Sequence, residues 1–171
     1  MKKLQIAVIG YNSDKSNPLT NKIAYDVGRL IARADGILIC GGLGGVMENA
    51  CKGAKAEGGV TVGIIPQEDF SCANEYCDIV IASGIGYARD FLVATSADAI
   101  VVVGGGVGTL VELCVGYMLK KTIVTIPESG GTAEIYGGKY LDERRRILIL
   151  TAKDAASAIG MILEQISKKG I

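Results

Sequence analysis

Histidine is absent from this chain of 171 residues. Without an imidazole, Ser-His and Cys-His catalytic arrangements are excluded, and proton chemistry must run on carboxylates, Tyr, Lys or Cys. An excess of charge of either sign is lacking too: 18 basic and 18 acidic side chains give a formal net charge of +0. That balance leaves no electrostatic footprint for nucleic acid or an anionic membrane, so neither is expected as a partner. The one basic cluster, Arg144-Arg145-Arg146, follows Asp142-Glu143 and reads as a solvated turn. No pair among Cys40, Cys51, Cys72, Cys77 and Cys114 has C-x-x-C spacing. A zinc site built from cysteine and carboxylate alone would be unusual, and no metal site is expected.

A membrane span is missing as well. Apolar residues make up 49% of the chain and mean hydropathy is +0.35. Yet the longest uncharged stretch of the central region, Ala99 to Val111, is too short and too rich in glycine to cross a bilayer. The opening "MKKLQIAVIG" runs into polar "YNSDKSN" with no small-residue cleavage site, so it reads as a first strand rather than a signal peptide, and a cytoplasmic location is expected. The apolar excess fits a buried parallel sheet, whose strands are apolar on both faces. Part of it also fits a subunit interface, and a homodimer or larger assembly is expected. Apolar residues on more than one face of the Leu110–Leu119 segment point the same way.

What is present is an alternation of strand-like and helical patterns. Strands are predicted over Leu4–Ile9, Gly36–Cys40, Val60–Ile65, Ile79–Ala82, Ala99–Val103, Thr122–Ile126 and Arg146–Leu150. Helices are predicted over Asn21–Arg33, Val46–Ala56, Ala88–Ser96, Thr109–Leu119 and Ala155–Ile166. Such alternation with short joints is the pattern of βαβ units. Right-handed crossovers then place helices on both faces of a parallel sheet. The expectation is one α/β domain over residues 1–171, doubly wound and Rossmann-like. The longest irregular stretch, Pro127–Tyr140, reads as a functional flap.

In such sheets ligands bind beyond the carboxyl ends of the strands, where the strand order reverses. Two glycine-rich loops fall there, "CGGLGGVMENA" from Cys40 and "VGGGVGTLVEL" from Val103. Glycine lets a ligand approach the backbone, and a helix start offers unpaired N–H groups with a positive dipole end. Neither loop is a strict dinucleotide fingerprint, and neither is a P-loop. Together they predict a phosphorylated small molecule held by Gly41, Gly42, Gly44 and Gly45 and by Gly104, Gly105, Gly106, Gly108 and Thr109. Glu112 has two readings on spacing alone. Thr109-x-x-Glu112 fits a capping box, worth about 1 kcal/mol and involving no ligand. Otherwise Glu112 serves a ligand that carries an acceptor-seeking or cationic part, such as a ribose, beside its anionic part.

"GGVM" within "CGGLGGVMENA", "VGIIP" at Val62–Pro66, Arg89 and the G-G-x-G-T-x-x-E run from Gly105 to Glu112 resemble the Lonely Guy family. The resemblance covers about Leu4 to Ile126. That family comprises phosphoribohydrolases that cleave nucleoside 5′-monophosphates to free base and ribose 5-phosphate. The resemblance implies Arg89 and Glu112 as the catalytic pair. Glu112 would bind the ribose hydroxyls and stabilise developing positive charge, and Arg89 would orient the substrate. Gly105, Gly106, Gly108 and Thr109 would hold the 5′-phosphate. No cofactor is implied, and nothing cues pyridoxal phosphate. The chain departs from the pattern at Cys40 and Glu48, where the family has glycine, at Gly104 in place of proline, and at Asp90 in place of lysine. These departures resemble the neighbouring branch that contains molybdenum-cofactor carrier proteins, which implies the alternative of a non-catalytic carrier.

Overall fold

The computed structural model describes residues 3–169. The ends of the expected 1–171 domain, residues 1, 2, 170 and 171, lie outside the described residues. Seven strands form one sheet: β1 (Gln5–Gly10), β2 (Ile37–Cys40), β3 (Val60–Ile65), β4 (Ile79–Ala82), β5 (Ala99–Val103), β6 (Thr122–Thr125) and β7 (Leu150–Thr151). Their spatial order is β4-β3-β2-β1-β5-β6-β7, and every pairing is parallel. The chain winds outward from β1 in one direction, returns to pair β5 against β1, and then winds outward in the other. The reversal between β1 and β5 opens a crevice at their carboxyl ends, the position at which doubly wound sheets take ligands.

Among the described residues six α-helices cover the sheet: α1 (Pro18–Arg33), α2 (Val46–Ala56), α3 (Arg89–Ser96), α4 (Val107–Met118), α5 (Gly131–Tyr136) and α6 (Ala155–Lys169). Alternation along each strand sends side chains to opposite faces. Ile6 and Val8 of β1 therefore join one core with α1, α2 and α6, through residues such as Val27, Ala50 and Ile162. Ala7 and Ile9 join the other core with α3, α4 and α5, through Val93, Leu113 and Ala133. β5 is buried at every position, which is why it reads as the unbroken run Ala-Ile-Val-Val-Val.

Helix α1 begins earlier than the apolar spacing suggests. Asn17 and Thr20 form a reciprocal capping box, and Pro18 occupies the first helical position, where its missing N–H costs nothing. Helices α1 and α2 cross in backbone contact. A Cβ at Gly28 would lie 1.9 Å from the carbonyl oxygen of Ala50, and one at Gly53 would lie 2.0 Å from that of Tyr25. Gly28→Val should therefore destabilise the fold by about 3 kcal/mol, because two helices must separate to admit the side chain. A urea midpoint unchanged from the parent protein would contradict this packing.

Two expectations are corrected here. The stretch Pro127–Tyr140 is not an irregular flap. It contains a 3-10 turn at Pro127–Ser129 and helix α5, with Ser129, Thr132 and Ala133 buried. The last strand is also displaced, from Arg146–Leu150 to Leu150–Thr151. Ile149 is buried in the second core and its N–H bonds the carbonyl of Lys139, so this apolar segment packs without running in the ladder.

Candidate functional site

The second glycine loop leaves β5 at Val103. Gly104 and Gly105 hold φ values of +65° and +108°, a region open to glycine at little cost. Their carbonyls are drawn away from the crevice by α5. The N–H of Thr132 donates to Gly105 O at 2.9 Å, and that of Ala133 to Gly104 O at 3.1 Å. The Thr132 hydroxyl donates to the carbonyls of Gly105 and Gly106, and the Gly104 N–H reaches Ser129 Oγ at 2.6 Å. Pro127–Tyr136 is thus a buttress behind the loop, and it fixes the direction in which the amides of α4 point.

Helix α4 begins at Val107, with Gly106 as its N-cap and no side-chain cap. Thr109 stands inside the first turn, and its hydroxyl donates to Gly10 O at 3.2 Å. The capping-box reading of Thr109 and Glu112 is therefore corrected. Because Gly106 takes the cap position, the first N–H groups of α4 are met by no capping side chain, and a helix start in that state suits an anion.

Glu112 lies one turn further along and faces the crevice. It meets Arg89 and Asp90, which α3 presents at its first two positions. Arg89 Nη1 lies 3.3 Å from Asp90 Oδ1 and 3.7 Å from Glu112 Oε1. All three are buried, with exposures of 9%, 6% and 6% for Arg89, Asp90 and Glu112. Burial pushes the Glu112 carboxyl up to about 8, helped by the charge of Asp90 and opposed by Arg89. Burial raises Asp90 as well, against the pull of Arg89. Glu112 therefore holds its proton at neutral pH, where an ordinary carboxyl is ionised. The Arg89 Nε–H has no hydrogen-bond partner among the described residues. A buried, unpaired donor of this kind is expensive for a purely structural residue.

The proton on Glu112 makes stability depend on pH. Its pKa is raised on folding from an ordinary 4.5 to about 8, so the folded state binds the proton more tightly than the unfolded chain. The contribution is complete below about pH 4.5 and is lost as pH rises through about 8, a few kcal/mol in all. Denaturation midpoints should fall across that window, and Glu112→Gln should flatten the fall. A parent protein with constant stability from pH 5 to 8 would contradict the burial of an isolated proton there.

A cavity of about 310 Å³ joins these parts. Of the residues predicted from sequence, Arg89, Glu112, Gly41, Gly106, Gly108 and Thr109 line it. Gly42, Gly44, Gly45, Gly104 and Gly105 stand outside its lining. Gly42 packs on β3, where a Cβ would meet Ile65 and Gly63. Gly45 caps α2, but the first amide of that helix is already taken, since the Val46 N–H donates to Tyr11 O at 2.9 Å. Gly41 lacks a side chain because the Arg89 guanidinium lies against it, 2.2 Å from where a Cβ would be. The two loops are therefore unequal: the second presents an open helix start, and the first makes room for an arginine.

The cavity also contains residues that the sequence reading passed over. Asn12, Asp14 and Lys15, from the loop after β1, form one wall, and Tyr87 stands over the opening, 92% exposed. Asp90 is the more consequential omission. It was noted only as a departure from a pattern, yet it places a second carboxylate in the charged cluster.

The chain is 44% identical over 126 residues to an uncharacterized protein from Archaeoglobus fulgidus, covering 74% of this chain and 82% of that one. The molybdenum cofactor binding protein of the phototrophic bacterium Rippkaea orientalis superposes with a TM-score of 0.85 at 30% identity, over 97% of this chain and 99% of the other. The molybdenum cofactor carrier protein of Chlamydomonas reinhardtii gives 0.85 at 33% identity, again over 97% and 99% of the two chains. Residues 3–159 match the family described as the SLOG cluster4 family, so this chain, with its Rossmann-like sheet and the glycine loop that leads into α4, belongs to that family.

Proposed function

We propose that the crevice binds a phosphorylated, nucleotide-like small molecule, with its phosphate on the amides at the start of α4 and its sugar beside Glu112. The observation that carries this reading is one cavity that holds both an uncapped helix start and the buried trio Arg89, Asp90 and Glu112. A phosphate answers the first, and a sugar and base answer the second. The trio is costly to bury.

The chemistry that suits the trio is hydrolysis of the N-glycosidic bond of a nucleoside 5′-monophosphate. Such cleavage passes through an oxocarbenium-like sugar, as glycoside cleavage does. Two carboxyl groups in different positions divide the work. Glu112, protonated at neutral pH, gives its proton to the departing base nitrogen. Asp90, held against Arg89, stabilises the positive sugar and orients the water that attacks it. The water supplies hydroxide to the sugar carbon and returns a proton to Glu112. Arg89 orients the ligand through its free Nε–H. Chromatographic detection of free base from a panel of purine, pyrimidine and modified-adenine monophosphates tests this step, and absence of release above a no-protein control would end it.

A second reading, a non-catalytic carrier, is favoured by one specific observation. Asp90 replaces the lysine of the hydrolase pattern and removes a positive charge from the cleft. The named functions of the Rippkaea and Chlamydomonas proteins agree with it. Under this reading the panel releases no base while a nucleotide or molybdopterin binds tightly. A cytoplasmic location is part of the same proposal; among the described residues no helix is long and apolar enough to cross a membrane.

Self-association belongs to the same proposal. Helices α3 and α4 pack side by side and leave Phe91, Leu92, Val107 and Met118 exposed. A homodimer through this face would cover them beside the cleft. Light scattering at micromolar concentration should give at least twice the chain mass of 17.8 kDa; a strictly monomeric mass would remove this part.

A further inference from the structure

Three cysteines that are scattered in the sequence meet in space. Cys40 ends β2, Cys51 lies in the middle of α2, and Cys77 lies just before β4. The sulfur atoms of Cys40 and Cys51 are 3.4 Å apart, those of Cys51 and Cys77 are 4.0 Å apart, and all three lie within 4.8 Å of one another. All are free thiols. Buried cysteine often acts as a small apolar residue, but that role does not bring three sulfurs from three elements to one point. The surroundings are shaped for sulfur. A Cβ at Gly63 would sit 2.6 Å from Cys77 Sγ, so β3 leaves room for that atom. The Gly42 N–H points at Cys40 Sγ at 3.3 Å, a contact that favours charge on sulfur.

We propose that Cys40, Cys51 and Cys77 form a three-coordinate site for a single Cu(I) ion. A metal at the centre of an equilateral triangle with metal–sulfur bonds of about 2.3 Å needs sulfurs about 4.0 Å apart. The separations of 3.4 and 4.0 Å, with the third within 4.8 Å, lie around that value, so small side-chain rotations close the site. Thiolate donors select soft ions, Cu(I) and Zn(II) among them. Structural zinc takes four ligands, and among the described residues no fourth cysteine or carboxylate joins the group. Three sulfurs alone suit Cu(I). Loading exchanges S–H bonds for copper–sulfur bonds and releases the protons to solvent. No electron is transferred, because the copper arrives already reduced.

The site also touches the ligand crevice. Cys77 belongs to the segment that holds the first glycine loop: the Asn74 N–H donates to Gly42 O at 2.8 Å, and its side-chain amide donates to Leu43 O at 3.0 Å. Leu43 and Gly41 line the cavity. Copper at the three sulfurs would tie this segment, β2 and α2 together behind that wall. Cys77 is half-buried, which leaves a route for the ion to enter.

The test is anaerobic titration of the full chain with Cu(I) against a chromophoric Cu(I) chelator, followed by copper X-ray absorption on the loaded protein. The expected result is one tightly held copper per chain with three sulfur neighbours at about 2.3 Å. Cys77→Ser should weaken the uptake at least 100-fold, while Cys72→Ser and Cys114→Ser, outside the cluster, should leave it unchanged. Loss of uptake only in the Cys72 or Cys114 variants would overturn the proposal. So would no competition with the chelator, fewer than three sulfur neighbours, or preferential four-coordinate zinc. The absorption spectrum needs no variant, so it decides the matter even if Cys77→Ser misfolds.

Discussion

Glu112→Gln should lose on the order of 100-fold or more in release of free base while still binding nucleotide, a barrier increase of about 3 kcal/mol. The amide keeps the shape of the carboxyl and its hydrogen-bonding capacity. What it removes is the transferable proton, which the buried carboxyl retains at neutral pH because its pKa is raised to about 8. Any release of base by the parent protein should also slow as pH rises past about 8, where Glu112 gives up that proton before the nucleotide arrives, and the variant should lack this limb. Asp90→Asn separates the two acids. It leaves the proton donor in place but removes the charge that lies 3.3 Å from Arg89, so it should lower turnover without abolishing the alkaline limb. If the parent protein releases no base and Glu112→Gln changes only affinity, and that modestly, the crevice holds its ligand without cleaving it, and the carrier reading stands.

Gly106→Val should abolish nucleotide binding in a protein that remains folded. Gly106 has φ −112° and ψ −149°, a negative φ that does not call for the left-handed region reserved for glycine. A Cβ there meets no atom within 4 Å, so the sheet and α4 tolerate it. The two methyl groups would nevertheless stand at the open start of α4, where the phosphate must come within hydrogen-bond distance of the amides. We expect at least a 100-fold loss of affinity by calorimetry, with an unchanged denaturation midpoint. Gly105→Val is the contrasting variant. Its φ of +108° excludes a β-branched side chain, and its Cβ would lie 2.5 Å from Thr109, so it should unfold the loop and lower stability. Equal nucleotide affinity in folded Gly106→Val would place the phosphate elsewhere.

Much of this architecture was legible in the residues, for identifiable reasons. β1 and β5 are buried on both faces, so their apolar runs were unmistakable, and Gly41 and Gly104 marked where each βα turn begins. Arg89 and Glu112 were reached through their resemblance to a known pattern; spacing alone left Glu112 divided between cap and ligand. The cap reading fell because Gly106 starts α4 at Val107, which leaves Glu112 beyond the first turn and in the lining of the crevice. Helix α5 was hidden because "SGGTAEIYGG" has the composition of a loop, and its short helix depends on buried Thr132 and Ala133 bonding the carbonyls of the glycine loop. Ile147 and Ile149 looked like strand residues because they are core residues; burial and ladder pairing leave the same mark on a sequence. The cysteine cluster left no local signal, since its members lie 11 and 26 positions apart and meet only after β2, α2 and the segment before β4 have packed. The charged trio was half visible: Asp90 stood out only as a departure from the family pattern, and its burial beside Arg89 follows from the packing of α3.

The claim on which the rest depends is that phosphate is held by the amides at the start of α4. Amide chemical-shift mapping during titration with nucleoside 5′-monophosphates, with inorganic phosphate in parallel, tests it most directly. The account predicts saturable shifts centred on the amides of Gly106, Val107, Gly108 and Thr109, with the Arg89 Nε–H responding to nucleotide and not to phosphate alone. Shifts centred on Gly42–Gly45 with the α4 amides unmoved, or no saturable shift with either ligand, would contradict it.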